Sequence, residues 1–262
     1  MTQSCPSSAA RAGSTTEPTA VAPHPLLRAY YRSADERPAY VRGLFDRSAR
    51  HYDRINAVMS LGVGRYYRRS MLTKAGLQPG MRVLDVAIGT GQVAGEARRL
   101  LAGRGLVVGI DASPGMLAEA RRADAADALV LGQAEALPFA SGSFDLVSVG
   151  YALRHVADLN QAFRELRRVL APGGRLLVLE MSRPDDRLGQ ALMQLYLRHL
   201  LPAVSWLTTG SDDARTLMRY YWDTVDRCVR PEAIIAAMRW ASFDGVDCDI
   251  QLGVLRAYMG RR

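Results

Sequence analysis

The chain has 262 residues, 48% apolar and 23% charged, the balance of a soluble globular domain long enough to bury a sizeable core. Its formal net charge is +8, and residues 28–74 hold eleven Lys/Arg against four Asp/Glu, so nearly all the excess lies there. Cys5, Cys228 and Cys248 show neither metal-ligand spacing nor a disulfide framework, and no apolar run reaches the roughly 18 residues of a membrane span. With no signal-peptide apolar core near the start, the expectation is a cytoplasmic protein with no metal site.

Residues 1–24 are rich in Ser, Thr, Ala and Pro without periodicity and are expected to be a disordered tail. Residues 25–262 are read as one domain that opens in a helical cap over residues 25–75. Val41, Leu44, Phe45, Ala49 and Tyr52 at helical spacing predict helix across residues 39–74. The basic excess falls on this cap. It serves an anionic partner, or it is a solvated helical face. Lys74 is the only lysine, which points to genome composition rather than recognition.

Strand and helix then alternate. Strands are predicted at Arg82–Ala87, Leu106–Ile110, Leu129–Leu131, Leu146–Tyr151 and Arg175–Glu180. The helices between them run to Ala102, from Pro114, and from Leu159 to Leu170. Such alternation implies an α/β fold, a doubly wound and mostly parallel sheet with helices on both faces. Residues 185–210 interrupt it with an apolar helical piece, read as a lid beside the pocket. With Arg183, Arg187 and Arg198 nearby, that piece also suits a membrane surface; simple packing on the core is the competing reading. A helix over Pro231–Trp240 and strands at Gly245–Ile250 and Leu255–Met259 bring the expected sheet to seven strands.

The chemistry concentrates at the first strand. Val83-Leu-Asp-Val-Ala-Ile-Gly89-Thr-Gly91 is an apolar strand running into a glycine turn, and Val107-Val-Gly-Ile-Asp111 is a second strand ending in an acid. Glycines at such a turn let the backbone approach a ligand, and an acid about 20 residues on can take the ribose hydroxyls of a nucleotide cofactor. Gly89-Thr-Gly91-Gln-Val-Ala94 also fits the dinucleotide fingerprint. Against NAD stands Asp85: an acid inside a buried strand needs a partner, and the cationic amino-acid end of S-adenosylmethionine, met directly or through water, supplies one. Two later segments, Leu137–Val147 and Arg168–Glu180, each a turn-rich loop feeding a strand, resemble those of class I S-adenosylmethionine-dependent methyltransferases.

Four stretches together resemble the ubiquinone/menaquinone C-methyltransferase family (UbiE/MenG type). They are Val41–Asn56 with Ser60-Leu-Gly-Val-Gly64, the glycine turn, Ala134-Glu-Ala-Leu-Pro-Phe139, and Tyr151-Ala-Leu-Arg154-His155-Val-Ala-Asp158. The resemblance runs from about Val41 to the end and is loose after Glu180. It implies a Rossmann-like fold, S-adenosylmethionine as cofactor, and methyl transfer to a ring carbon of a lipophilic quinol. The expected cofactor contacts are Asp85, Ala87, Gly89, Thr90, Gly91, Asp111, Ala112, Met116, Gln133, Ala134 and Gly150. The resemblance marks Arg154 as catalytic. Arginine stays protonated, so phenolate stabilisation is the role expected of it. His155, where the family has Asn, is the candidate base, and Tyr52 faces either the acceptor or the cofactor or only packs. Gln92 replaces the usual Asp, Gln133 the usual Asn or Asp, and Leu252–Met259 the family's ending. A diverged O-, N- or C-methyltransferase of phenolic natural products or phospholipids is the alternative. No nucleic-acid partner is expected, because no RNA-binding module is recognisable and the Asn/Asp-Pro-Pro-Phe/Tyr tetrapeptide is absent. A peripheral position on the inner membrane face and a homodimer are both compatible with the sequence.

Overall fold

Val83, Leu84 and Val86 are almost fully buried, and they alternate between two cores as a strand with a period of two requires. Leu84 and Val86 face one core with Val147, Val149 and Phe163; Val83 faces the other with Leu146, Leu177 and Leu179. This strand lies inside the sheet, buried on both faces, as parallel strands are. The computed structural model describes residues 3–4, 20–60 and 62–262.

In chain order the elements are β1 (Gln3–Ser4), α1 (Arg37–Ser60), α2 (Val63–Lys74), β2 (Arg82–Val86), α3 (Gln92–Leu101), β3 (Leu106–Asp111), α4 (Pro114–Arg122), β4 (Ala128–Leu131), β5 (Phe144–Gly150), α5 (Leu159–Val169) and β6 (Leu170–Met181). Then follow α6 (Arg187–Gln194), a π-helical stretch (Leu195–Leu200), α7 (Leu201–Thr209), α8 (Asp212–Asp226), α9 (Pro231–Trp240), β7 (Asp244–Gln251) and β8 (Leu255–Arg261). The sheet order is β1-β7-β8-β6-β5-β2-β3-β4. β2 to β6 are parallel, and β8 lies antiparallel between β6 and β7. The seven expected strands are all present, and Gln3–Ser4 adds a short edge pairing to β7.

The organisation differs from the expectation in three places. The predicted helix over residues 39–74 is two helices, broken at Gly62 in the left-handed region (φ 81°). Residues 20–24, placed in the disordered tail, are docked: the Val21 N–H donates to Asp158 and its carbonyl accepts from Leu159 N–H, while Pro23 O accepts from Val229 N–H. Residues 1–2 and 5–19 of that tail lie outside the described residues. The third is α8, which the sequence reading passed over. It fills a helical core with Leu44 and Ile55 of α1 and Leu197 and Leu201. The 185–210 segment packs on this helical layer, and Pro202, lacking an N–H donor, sits next to its π-helical stretch.

Candidate active site

The carboxyl ends of β2, β3 and β5 converge where the strand order reverses, the edge at which open α/β sheets place ligands. Beyond β2 the chain turns through Ala87 (φ 54°), Gly89 (φ 57°) and Gly91 (φ 87°) into α3. Beyond β5 it turns through Tyr151 (φ 58°). Ala87 and Tyr151 are side-chain-bearing residues held in a costly conformation, and both border the same cavity.

That cavity has a volume of about 480 Å³. Asp85 and Asp111 stand at its sheet end. Pairing places Asp85 between Gly109 of β3 and Ser148 of β5. Its carboxylate accepts from Ser148 Oγ at 2.6 Å and Ala94 N–H at 3.0 Å. Burial nevertheless pushes its carboxyl up from 3.8 to about 7. Asp111 accepts from Gly89 N–H at 2.8 Å and Ser113 N–H at 2.9 Å, tying the glycine turn to the start of α4, and burial raises it too. Neither acid has an ion pair among the described residues.

The opposite wall comes from α1. Asp46 accepts from Gly115 N–H at 2.6 Å and Ser113 Oγ at 2.9 Å, at the positive end of α4. Asp53 accepts from Thr90 Oγ1 at 2.6 Å and Gln92 Nε2 at 3.0 Å. Spaced seven residues apart, these acids share one face of α1 and fasten it to the turns that follow β2 and β3. Phe45 and Tyr52 line the cavity from the same helix. Burial raises the Tyr52 phenol and the charge of Arg154 opposes this.

Twelve of the expected site residues line the cavity: Tyr52, Asp85, Ala87, Gly89, Thr90, Asp111, Ala112, Met116, Gln133, Ala134, Gly150 and His155. Gly91 and Arg154 do not. Gly91 caps α3, and a Cβ there lies 2.1 Å from the Ala125 Cβ, so its requirement is steric. Arg154 is fully buried away from the cavity. Its guanidinium pairs with Glu180 of β6 and stacks 4.2 Å from the Tyr221 ring centroid. Its carbonyl accepts from Arg37 at 2.8 Å, and Arg37 in turn meets His24 at 3.0 Å. The expected acceptor contact of Arg154 is therefore not formed on the cavity wall; the residue ties the turn Leu153–His155 to β6 through Glu180.

That turn presents His155. Its ring lies 5.1 Å from Phe45, edge to face, and 5.6 Å from Tyr220, stacked. Both ring nitrogens are buried and lack a hydrogen-bond partner. Burial and the charges of Arg154, Arg37 and His24 hold its pKa well below 6.5, so the imidazole is neutral. No residue of 185–210 borders the cavity, so that segment is an outer layer rather than a lid. Sequence reasoning missed Asp46, Asp53, Ser148 and Arg68, the last of which also lines the cavity. The spacing of Asp46 and Asp53 was a visible signal for the first two.

The donor set suits a cationic nucleotide cofactor: two buried acids without an ion pair among the described residues, backbone turns opened by glycine, and Gln133 and Met116 on the same cavity wall. The family described as ubiE/COQ5 methyltransferase matches residues 32–260. The chain is 34% identical over 239 residues to a demethylmenaquinone methyltransferase of Symbiobacterium thermophilum, covering 88% of this chain and 95% of the relative. It is 35% identical over 221 residues to a ubiquinone/menaquinone biosynthesis C-methyltransferase of Shewanella sp. strain ANA-3, covering 82% and 86%. Among solved structures it is similar to an S-adenosylmethionine-dependent methyltransferase of Thermotoga maritima, described as a possible histamine N-methyltransferase. The TM-score is 0.60 at 19% identity, over 84% of this chain and 98% of that one, a likeness of fold.

Proposed function

Because the chain belongs to the ubiE/COQ5 methyltransferase family and so is an S-adenosylmethionine-dependent methyltransferase, we propose that it methylates a ring carbon of a lipophilic quinol of the demethylmenaquinol type. The observation that carries the reading is one cavity joining two unpaired acids to an aromatic end that holds an unpartnered histidine.

The cofactor, when bound, supplies an electrophilic methyl group on a sulfonium. Asp111 takes the ribose hydroxyls, Asp85 faces the cationic amino-acid end, and Gln133 and Ala134 meet the adenine. Thr90, Gly89, Ala87, Ala112, Met116 and Gly150 shape the wall around them. Phe45, Tyr52 and Tyr151 hold the flat acceptor ring, and most of the acceleration comes from this placement. Neutral His155 accepts a hydrogen bond from the quinol hydroxyl beside the reacting carbon, which raises that carbon's nucleophilicity, and the ring proton displaced by the methyl group leaves to water to restore the aromatic ring. Its depressed pKa favours sharing the proton over holding it. The Arg154–Glu180 pair fixes the turn on which His155 stands.

We also propose that the enzyme draws its acceptor from a membrane surface. Leu188, Leu192, Leu195, Leu200 and Leu207 are exposed along α6, the π-helical stretch and α7, interleaved with exposed Arg187 and Arg198. Among the described residues no helix is long and apolar enough to cross a membrane.

The test is methyl transfer from the cofactor to purified demethylmenaquinone before and after chemical reduction. Product from the reduced form alone supports the reading. Cofactor binding with no quinone product contradicts it and favours a phenolic or phospholipid acceptor.

A further inference from the structure

Two arginines line the cavity among the described residues. Arg42 is exposed, whereas Arg68 of α2 is half-buried. The Arg68 Nε is sealed from solvent and has no hydrogen-bond partner. Desolvation makes its charge costly and depresses its pKa, and a buried cation is tolerated where something compensates it.

The acids that act on Arg68 are occupied elsewhere. Glu96 is held by Arg65 at 2.8 Å and Arg99 at 2.5 Å. Asp53 is held by Thr90 and Gln92. Tyr52 and Tyr151, its other charge-coupled neighbours, are phenols whose ionisation burial opposes. Arg68 also acts on Asp85 through its field without forming an ion pair with it. The cavity wall thus carries a cation and a buried acid that feel each other's field yet form no ion pair. An α-amino acid carries the complementary pair, one carboxylate and one ammonium. A guanidinium is suited to the first because its planar fork matches a carboxylate in two parallel hydrogen bonds.

We propose that Arg68 binds the α-carboxylate of the cofactor's amino-acid end while Asp85 faces its ammonium group. The proposal rests on the cofactor reading above, and it gives the helical cap a direct part in binding. Part of the basic excess of the cap is accordingly functional rather than a solvated face.

The experiment is calorimetric titration of wild type, Arg68→Met and Arg68→Lys with two ligands. S-Adenosylhomocysteine keeps the amino-acid end; 5′-methylthioadenosine keeps the nucleoside and thioether and lacks it. Loss of charge-assisted hydrogen bonds should weaken S-adenosylhomocysteine binding by roughly 10- to 100-fold in Arg68→Met. Methylthioadenosine should bind the variant as it binds wild type, which also shows the pocket intact. Arg68→Lys should fall between. An unchanged affinity for S-adenosylhomocysteine, including the case where only turnover falls, overturns the proposal and moves Arg68 to the acceptor. Equal loss of both ligands overturns it as well, since that reports general damage. A wild type that binds neither ligand overturns the cofactor reading itself.

Discussion

Replacing Glu180 by Gln leaves the Arg154 guanidinium charged and buried with its counter-ion gone. The two side chains are 1% and 2% exposed, so water cannot take the place of the lost carboxylate. Removing one partner of a buried pair costs about 3–5 kcal/mol, because an uncompensated charge remains inside. Glu180 also accepts from the Met181 N–H at 2.9 Å, and the glutamine oxygen can keep that bond. The loss is therefore mainly electrostatic, with the long 3.4 Å hydrogen bond from the Arg154 N–H to the other carboxylate oxygen lost as well. For a chain of this size a 3–5 kcal/mol loss lowers Tm by roughly 10 °C. Urea and thermal unfolding followed by circular dichroism measure both quantities. The double variant Arg154→Met/Glu180→Leu, which removes both charges, should recover most of the loss. A change below about 1 kcal/mol for Glu180→Gln, or a double variant no better than the single, would refute the anchoring role assigned to the pair.

Gly91→Ala should destabilise by about 2–3 kcal/mol in urea unfolding, since it adds a left-handed-backbone penalty to the overlap with Ala125, while Gly89→Ala should cost about 1 kcal/mol, its Cβ meeting open space. Equal effects at the two glycines would contradict the steric distinction. Burial raises the Asp85 carboxyl to about 7, so the folded protein holds that proton more tightly than the unfolded chain. Its contribution to the stability of the ligand-free protein is full below the unfolded value of 3.8 and is lost as pH rises through about 7. The ammonium of the amino-acid end wants the ionised acid, so S-adenosylhomocysteine should bind more tightly as pH rises from about 6 to about 8, and Asp85→Asn should flatten that dependence. Leu192→Glu with Leu195→Glu should abolish sedimentation with anionic phospholipid vesicles and leave cofactor affinity unchanged; retained sedimentation would remove the membrane face.

The strand–turn–strand unit and its acids were legible because their signals are local. A run of Val, Leu and Ile that ends in a glycine turn reads as a buried strand, and an acid inside it, Asp85, stands out against that background. Gln133, Ala134 and Met116, named from the sequence, also line the cavity. Arginines proved harder to place. Arg154 and Arg68 look alike in sequence, and only the packing of β6 and α8 shows that the first turns inward to Glu180 and Tyr221 while the second faces the cavity. His155 read as a titrating base because its reference pKa is near neutral. Its neighbours Arg37 and His24, distant in sequence, are part of what keeps it neutral. α8 carried a helix-start signal in Ser211-Asp212-Asp213, with the Ser211 side chain accepting from Ala214 N–H, but no chemistry drew attention to it. Asp46 and Asp53 look like surface charges of a basic helix until α1 lies across the turns they fasten.

The most direct test of the account is methyl transfer from labelled S-adenosylmethionine to a lipid extract of a quinone-methylation-deficient bacterium, with mass spectrometry of the product. The expected product is a quinone that gains one carbon-bound methyl group. Label on an oxygen or nitrogen, or on a lipid that is not a quinone, would contradict it.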